Sequence, residues 1–172
     1  MKSKHPNKSN VGAGDSFQRA TALHQRGAIA EAAAHYQELL AKNPRHAGAI
    51  HGLGTIASHQ QQHERAIKLI GFAISIDPNN YTYHHNKGSA HQAIDELEHA
   101  INSYTRALQL NPSSPLSWYN RGVAYLESGE PTQAASDFSE AIRLAPEHSQ
   151  AFFNLGNCFR VLKNPNPVSY TH

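Results

Sequence analysis

The chain has one cysteine, one methionine and one tryptophan among 172 residues, and only 16% of them are charged. Each scarcity removes a class of protein. A single cysteine, Cys158, cannot build an internal disulfide framework. No apolar run is long enough to span a bilayer or to act as a secretory signal, so the expected setting is the cytoplasm, without a membrane partner. The formal net charge is only +2 and the basic residues are scattered, which leaves no stripe to track phosphates and argues against nucleic acid as a partner. Gly-rich phosphate loops, a nucleophile elbow and a paired-carboxylate pocket are all missing. The chain therefore reads as a non-enzyme, with no catalytic residue and no cofactor. Its densest acidic run, Asp95-Glu96-Leu97-Glu98, suits a helix N-terminus, where acids complement the dipole.

What the chain does have is a period. Pro44, Pro78, Pro112 and Pro146 stand 34 residues apart, and five further columns keep the same register. Ala20, Gly54, Gly88, Gly122 and Gly156 form one. Ala32, Ala66, Ala100 and Ala134 form the next, then Tyr36, Ile70, Tyr104 and Phe138. Leu39, Ala73, Ala107 and Ala141 are followed directly by Leu40, Ile74, Leu108 and Ile142. A 34-residue unit of this kind predicts stacked helix-turn-helix repeats. In the fourth unit Ala134, Phe138, Ala141 and Ile142 fall at i, i+4, i+7 and i+8, an apolar stripe of helical period. Small residues in the first helix let two backbones approach, and the aromatic of the second helix fills the space above them. Proline then ends each unit, because it lacks an N–H and disfavours helix in the residue before it. Asn43, Asp77, Asn111 and Ala145 occupy that preceding place. Gly27 and Gly129 mark left-handed turns between paired helices, Pro131 suits a first helical turn, and Asp95 replaces glycine at the equivalent turn and is expected to cap the helix that follows it. Gln61 is the poorest match at this turn.

These columns resemble the tetratricopeptide repeat, most fully in the fourth unit through Trp118, Gly122, Tyr125, Gly129, Ala134, Phe138, Ala141 and Pro146. The first unit is degenerate, with Ser16 in the aromatic slot and Ala20 in the glycine slot. The resemblance covers residues 13 to 163 and implies an all-α, right-handed superhelix, an α-solenoid that serves as a protein-binding scaffold. The expected organisation is a disordered leader (1–12), then repeats at about 13–46, 47–80, 81–114 and 115–148, and a partial fifth (149–163). An irregular tail (164–172) closes the chain. Phe152, Leu155, Gly156 and Phe159 fill first-helix slots, but Asn164-Pro165-Asn166-Pro167 stands where a second helix should start. This unpaired fifth helix, exposing Phe152 and Phe159, reads either as a cap or as the mark of a longer protein, and the second is preferred. It also offers a surface for self-association.

The resemblance implies that first helices line a concave groove. By phase, the groove-facing residues are His51, Thr55 and His59, then His85, Asn86, Ser89 and Gln92. Tyr119, Asn120 and Glu127 follow, and finally Phe153, Asn154, Asn157 and Arg160. Asn86, Asn120 and Asn154 recur at 34-residue spacing, with Gln18 in phase and Gly52 breaking the series. An amide both donates and accepts, so such a ladder suits the backbone of an extended polypeptide. It resembles the asparagine ladder of the superhelical repeat domain in peptide O-GlcNAc transferases. The carboxylate clamp of chaperone-binding repeats needs Lys and Arg where this chain has Phe17, Thr21, His51, Thr55 and Thr82, and is not expected. The groove nominees are accordingly Asn86, Asn120, Asn154, His51, His85, Tyr119, Phe153 and Asn157, and the partner is a protein or peptide. An alternative makes the chain the substrate-recruiting front of a bacterial glycosyltransferase of that type.

Thirteen histidines raise the question of a metal. His59 and His63 have ligand spacing but straddle the turn, His84 and His85 point apart, and no Cys or carboxylate cluster completes a set. No metal site is expected. His84 and His91 stand in for aromatics of their columns, Cys158 packs as a small core residue, and His24, His51, His59 and His85 make binding sensitive to pH below about 6.5.

Overall fold

The computed structural model of the chain describes residues 9–163, with side chains from Ser16 onward. Among the described residues there are nine helices and no strand. They are α1 (Ser9–Gln25), α2 (Ile29–Lys42), α3 (Ala47–His59), α4 (His63–Ile76), α5 (Tyr81–Gln92), α6 (Leu97–Leu110), α7 (Pro115–Glu127), α8 (Pro131–Leu144) and α9 (Ser149–Lys163). The chain divides after Pro78 into two compact units, with α1 to α4 in the first and α5 to α9 in the second. Helix α1 begins inside the stretch 1–12 expected as a leader. Residues 1–8 of that leader and the tail at 164–172 lie outside the described residues.

The local chemistry that cuts the chain into helices repeats with the sequence. Asn43, Asp77, Asn111 and Ala145, each before a proline, are C-caps with φ of −139°, −130°, −141° and −139°, the extended backbone that a following proline imposes. Two residues after each proline comes the next N-cap. His46 Nδ1 accepts from Ala49 N–H at 3.1 Å, Asn80 Oδ1 from Thr82 N–H at 3.2 Å, Ser114 Oγ from Ser117 N–H at 3.3 Å, and His148 Nδ1 from Ala151 N–H at 3.3 Å. This fourfold capping column was not read from the sequence, because histidine is not a standard capping residue. It accounts for two of the histidines as structural acceptors.

The turn inside each pair is a Schellman closure. Ala28, Gln62, Glu96 and Glu130 donate N–H to the carbonyls of Leu23, Ala57, His91 and Tyr125 at 2.8–3.0 Å. The residue before each donor has positive φ: Gly27 and Gly129 at 80°, Gln61 and Asp95 at 61°. Asp95 therefore does not cap α6. Glu96 holds the N-cap position and makes no side-chain cap bond, while Asp95 supplies the left-handed residue that glycine supplies elsewhere.

Packing follows the columns. A Cβ added at Gly54 would lie 2.7 Å from Ile70 Cγ1, at Gly88 2.8 Å from Tyr104 Cδ1, and at Gly122 2.9 Å from Phe138 Cε1. In the second, third and fourth pairs the first-helix glycine is thus the seat of the second helix's large side chain, 16 residues on. Tyr36, Ile70, Tyr104 and Phe138 are all buried, as are the alanines at 32, 66, 100 and 134. In the second unit α9 packs on α8 through Leu155 and Cys158, and its Ala151 is also buried. The thiol of Cys158 is buried, and burial pushes its pKa up, as befits a packed side chain rather than a nucleophile. No helix among the described residues is long and apolar enough to cross a membrane.

Candidate functional site

In the second unit the first helices α5, α7 and α9 are laced together by side-chain hydrogen bonds. His85 Nδ1 lies 2.9 Å from Ser117 Oγ, joining α5 to α7, and Gln92 Nε2 donates to Glu127 Oε2 at 2.7 Å. Asn154 Nδ2 donates to the Tyr119 hydroxyl at 3.2 Å, joining α9 to α7. Three of the nominated residues, His85, Tyr119 and Asn154, are therefore part of this lacing.

The amides sit at the seam between polar face and core. Asn120 bonds the Tyr104 hydroxyl, which also donates to Gln92 Oε1 at 3.0 Å. Burial drives that phenol's pKa far up, so it stays a neutral donor. Asn86, Asn120 and Asn154 are all half-buried. Asn157 Oδ1 accepts from Arg160 at 3.3 Å. Tyr119 stacks 4.6 Å from the His148 ring, so both its ring and its hydroxyl already have partners. Phe153, beside Asn154, is 70% exposed. Among the nominees of the second unit, Phe153 is thus an exposed aromatic, while the half-buried Asn120 and Asn154 are tied to the hydroxyls of Tyr104 and Tyr119.

His51 belongs to the first unit. Burial, and then the nearby His24, hold its pKa down at about 4. His24 is itself lowered, by burial and by His59, whose ring is 5.5 Å away edge-on. Its Nε2 is buried without a hydrogen-bond partner. His85 is likewise lowered by burial. Charging His51, His24 and His85 therefore takes more acid than their sequence position suggested. Among the described residues no group of His, Cys, Asp and Glu is placed to hold a metal ion.

At position 52, where the ladder lacks its amide, the space is taken by a ring. A Cβ on Gly52 would overlap Tyr36, whose hydroxyl bonds Thr21 Oγ1 at 3.5 Å. Tyr104, in the same column, instead leaves room for Asn120 and bonds it. His91 is buried, stacked on His99 at 5.2 Å and bonded to Glu96 at 2.6 Å, a polar-tipped ring in an aromatic slot.

Three family models match: a TPR repeat at residues 94–129, and tetratricopeptide repeats at 115–148 and 23–87. No curated protein matches the sequence. Among solved structures, that of MamA is similar with a TM-score of 0.77 at 22% identity, covering 84% of both chains. Pseudomonas aeruginosa pilF gives 0.83 at 19% identity, over 91% of this chain and 72% of its own. YrrB, described as a TPR protein with an unusual peptide-binding site, gives 0.75 at 21% identity, over 87% of this chain and 77% of its own. Period, paired helices, family models and structural likeness agree: the chain is an all-α solenoid of tetratricopeptide repeats.

Proposed function

We propose that this repeat scaffold binds an extended polypeptide along the first helices of its second unit, with Asn86, Asn120 and Asn154 contacting ligand backbone and Phe153 giving an apolar contact. The observation that carries the reading is the recurrence of a half-buried amide at one position of α5, α7 and α9. Asn154 reaches Tyr119 at 3.2 Å, a bond long enough to be exchanged for one to a peptide carbonyl. YrrB, of the same fold, is described as having a peptide-binding site. Tyr119 flanks the face rather than forms its centre, since its ring is engaged by His148. Reading the chain as the recruiting front of a glycosyltransferase rests on the same amides, so the scaffold reading, which needs no residue outside this chain, is preferred.

The test is peptide-array binding by the wild type and by the triple Asn86/Asn120/Asn154→Ala variant, with melting followed in parallel. The expected result is a loss of affinity of about tenfold or more, beyond any change in folded fraction. Equal binding by the two folded proteins removes the amides from the account.

A further inference from the structure

A run of hydrogen bonds on the first-helix side of the second unit has a direction that its chemistry fixes. It begins at Glu127 of α7. A carboxylate only accepts, so Gln92 of α5 turns its Nε2 toward it, and that atom lies 2.7 Å from Glu127 Oε2. The other end of the same amide, Oε1, then faces the Tyr104 hydroxyl of α6, which donates to it at 3.0 Å. Tyr104 is fully buried, so protein groups rather than solvent satisfy its hydroxyl. That hydroxyl has one hydrogen and has given it to Gln92. Toward its other partners, Ser89 and Asn120, it can only accept. Asn120 therefore meets it with Nδ2.

This series of forced choices locks the orientation of Asn120. Turning its amide over would set Oδ1 against a phenol oxygen with no hydrogen left to give. Turning Gln92 over, to release that hydrogen, would set its Oε1 against the Glu127 carboxylate. Each reversal leaves two acceptors face to face, the first of them at a fully buried group. Asn154 differs. Its Nδ2 meets the Tyr119 hydroxyl at 3.2 Å, and no carboxylate among the described contacts of Tyr119 fixes which way that hydroxyl points. A hydroxyl both donates and accepts, so the Asn154 amide can present either end. The two rungs are alike in sequence and unlike in polarity.

Granted the reading of the amides as peptide contacts, on which this rests, we propose that Glu127, Gln92 and Tyr104 are positioning residues that hold Asn120 Oδ1 toward the bound chain, where it accepts from a backbone N–H. Nδ2 keeps a second hydrogen for a neighbouring carbonyl, but Oδ1 is the atom whose direction the lock decides. A rule of selectivity follows that the spacing of the amides does not contain. The bound residue at the Asn120 rung must carry an N–H, so proline is excluded there, whereas the Asn154 rung takes an N–H or a carbonyl alike.

The probe is the tightest-binding peptide from the array, remade with each backbone amide in turn replaced by an ester, which deletes one N–H. Each ester is compared with the parent peptide on the same protein, so that a change in overall affinity cancels. On the wild type, the ester at the Asn120 rung should weaken binding by about fivefold or more, and Asn120→Ala, on which that ester is silent, identifies it. On Glu127→Gln the loss should shrink to about twofold or less, because a side-chain amide at that position also donates, which frees Gln92, the phenol hydrogen and Asn120 to reverse. An equal loss on wild type and Glu127→Gln, or no sensitive ester at all, overturns the proposal while leaving the amides as peptide contacts. Loss of all binding in Glu127→Gln also overturns it, since the carboxylate then touches the peptide itself. If no array peptide depends on the three amides, the underlying reading fails and this one with it. The free wild-type protein gives a check that needs no variant. Its NMR spectrum should show slowly exchanging Asn120 Nδ2 hydrogens with an NOE to the Tyr104 hydroxyl, and their absence overturns the lock.

Discussion

Asp137 of α8 accepts two hydrogen bonds from Arg121 of α7, from Nε at 2.7 Å and from Nη2 at 2.8 Å, while only 3% exposed. The guanidinium also donates to Thr105 Oγ1 at 3.0 Å and lies 4.9 Å over the Trp118 ring. Burial opposes its charge, but the Asp137 hydrogen bonds and charge outweigh that, and its pKa is raised. Asp137 and Arg121 are 16 residues apart, the same step that joins Gly122 to Phe138, so the ion pair lies beside the ring-on-glycine contact.

Removing one partner strands the other. Asp137→Ala should cost about 3 kcal/mol in chemical denaturation, because the remaining guanidinium loses its counter-charge in a half-buried site. Arg121→Met with Asp137→Leu should recover much of that loss, since two apolar residues replace both charges. A double variant no better than the single would show that the pair acts through geometry rather than charge.

The glycine column sorts into filled and open seats. Gly88→Ala and Gly122→Ala press a methyl against buried rings at 2.8 and 2.9 Å and should destabilise by about 1–2 kcal/mol despite better helix propensity. Gly156→Ala meets nothing and should stabilise by up to about 1 kcal/mol. Melting temperatures of the three variants check the ordering.

At the inter-helix turn, Gln61 holds a φ of 61° that costs a side chain roughly 1 kcal/mol. Gln61→Gly should therefore raise stability by about 0.5–1 kcal/mol, and Gly129→Ala, at φ 80°, should lower it by a similar amount. If both changes lower stability, the turn is not governed by backbone strain.

Acid should loosen the first unit through His51. Its ring stays neutral in the folded state down to about 4, while the unfolded chain takes up the proton near pH 6.5. Stability is then full above pH 6.5, falls as pH drops below it, and levels off near pH 4. The loss should be of order 2 kcal/mol, and His51→Gln should remove most of it. A denaturation midpoint that does not change between these pH values would contradict this assignment.

The sequence makes the periodic part of the structure legible because each column is a repeated contact. Proline, glycine, alanine and the large second-helix residue each mark one recurring site, and the helices and their packing follow. What is hidden is polar and pairwise. Arg121 and Asp137 meet only once, so no column marks them. The caps His46, Asn80, Ser114 and His148 do form a column, but one of three residue types united only by an acceptor atom. Asp95 is legible as the stand-in for glycine at its turn, but its expected cap is not made, because the N-cap position falls one residue on at Glu96. Among the nominated groove residues, the spacing of the amides was visible, but their tyrosine partners were not, since Asn154 to Tyr119 crosses 35 residues. Gly52 reads as a gap in the ladder until Tyr36 is seen to occupy the space.

Because Ile70, Tyr104 and Phe138 are each seated on a glycine of their own 34-residue block, the second, third and fourth blocks behave as interchangeable cassettes. Deleting residues 115–148 would join Ser114 to Ser149, placing a serine cap where His148 stood and leaving α9 in the seat of α7. Nothing in the surviving blocks needs repacking, since neighbouring units touch only one another. The length of such a protein can change in whole steps during evolution, and a gain or loss of one block alters its reach without putting its core at risk.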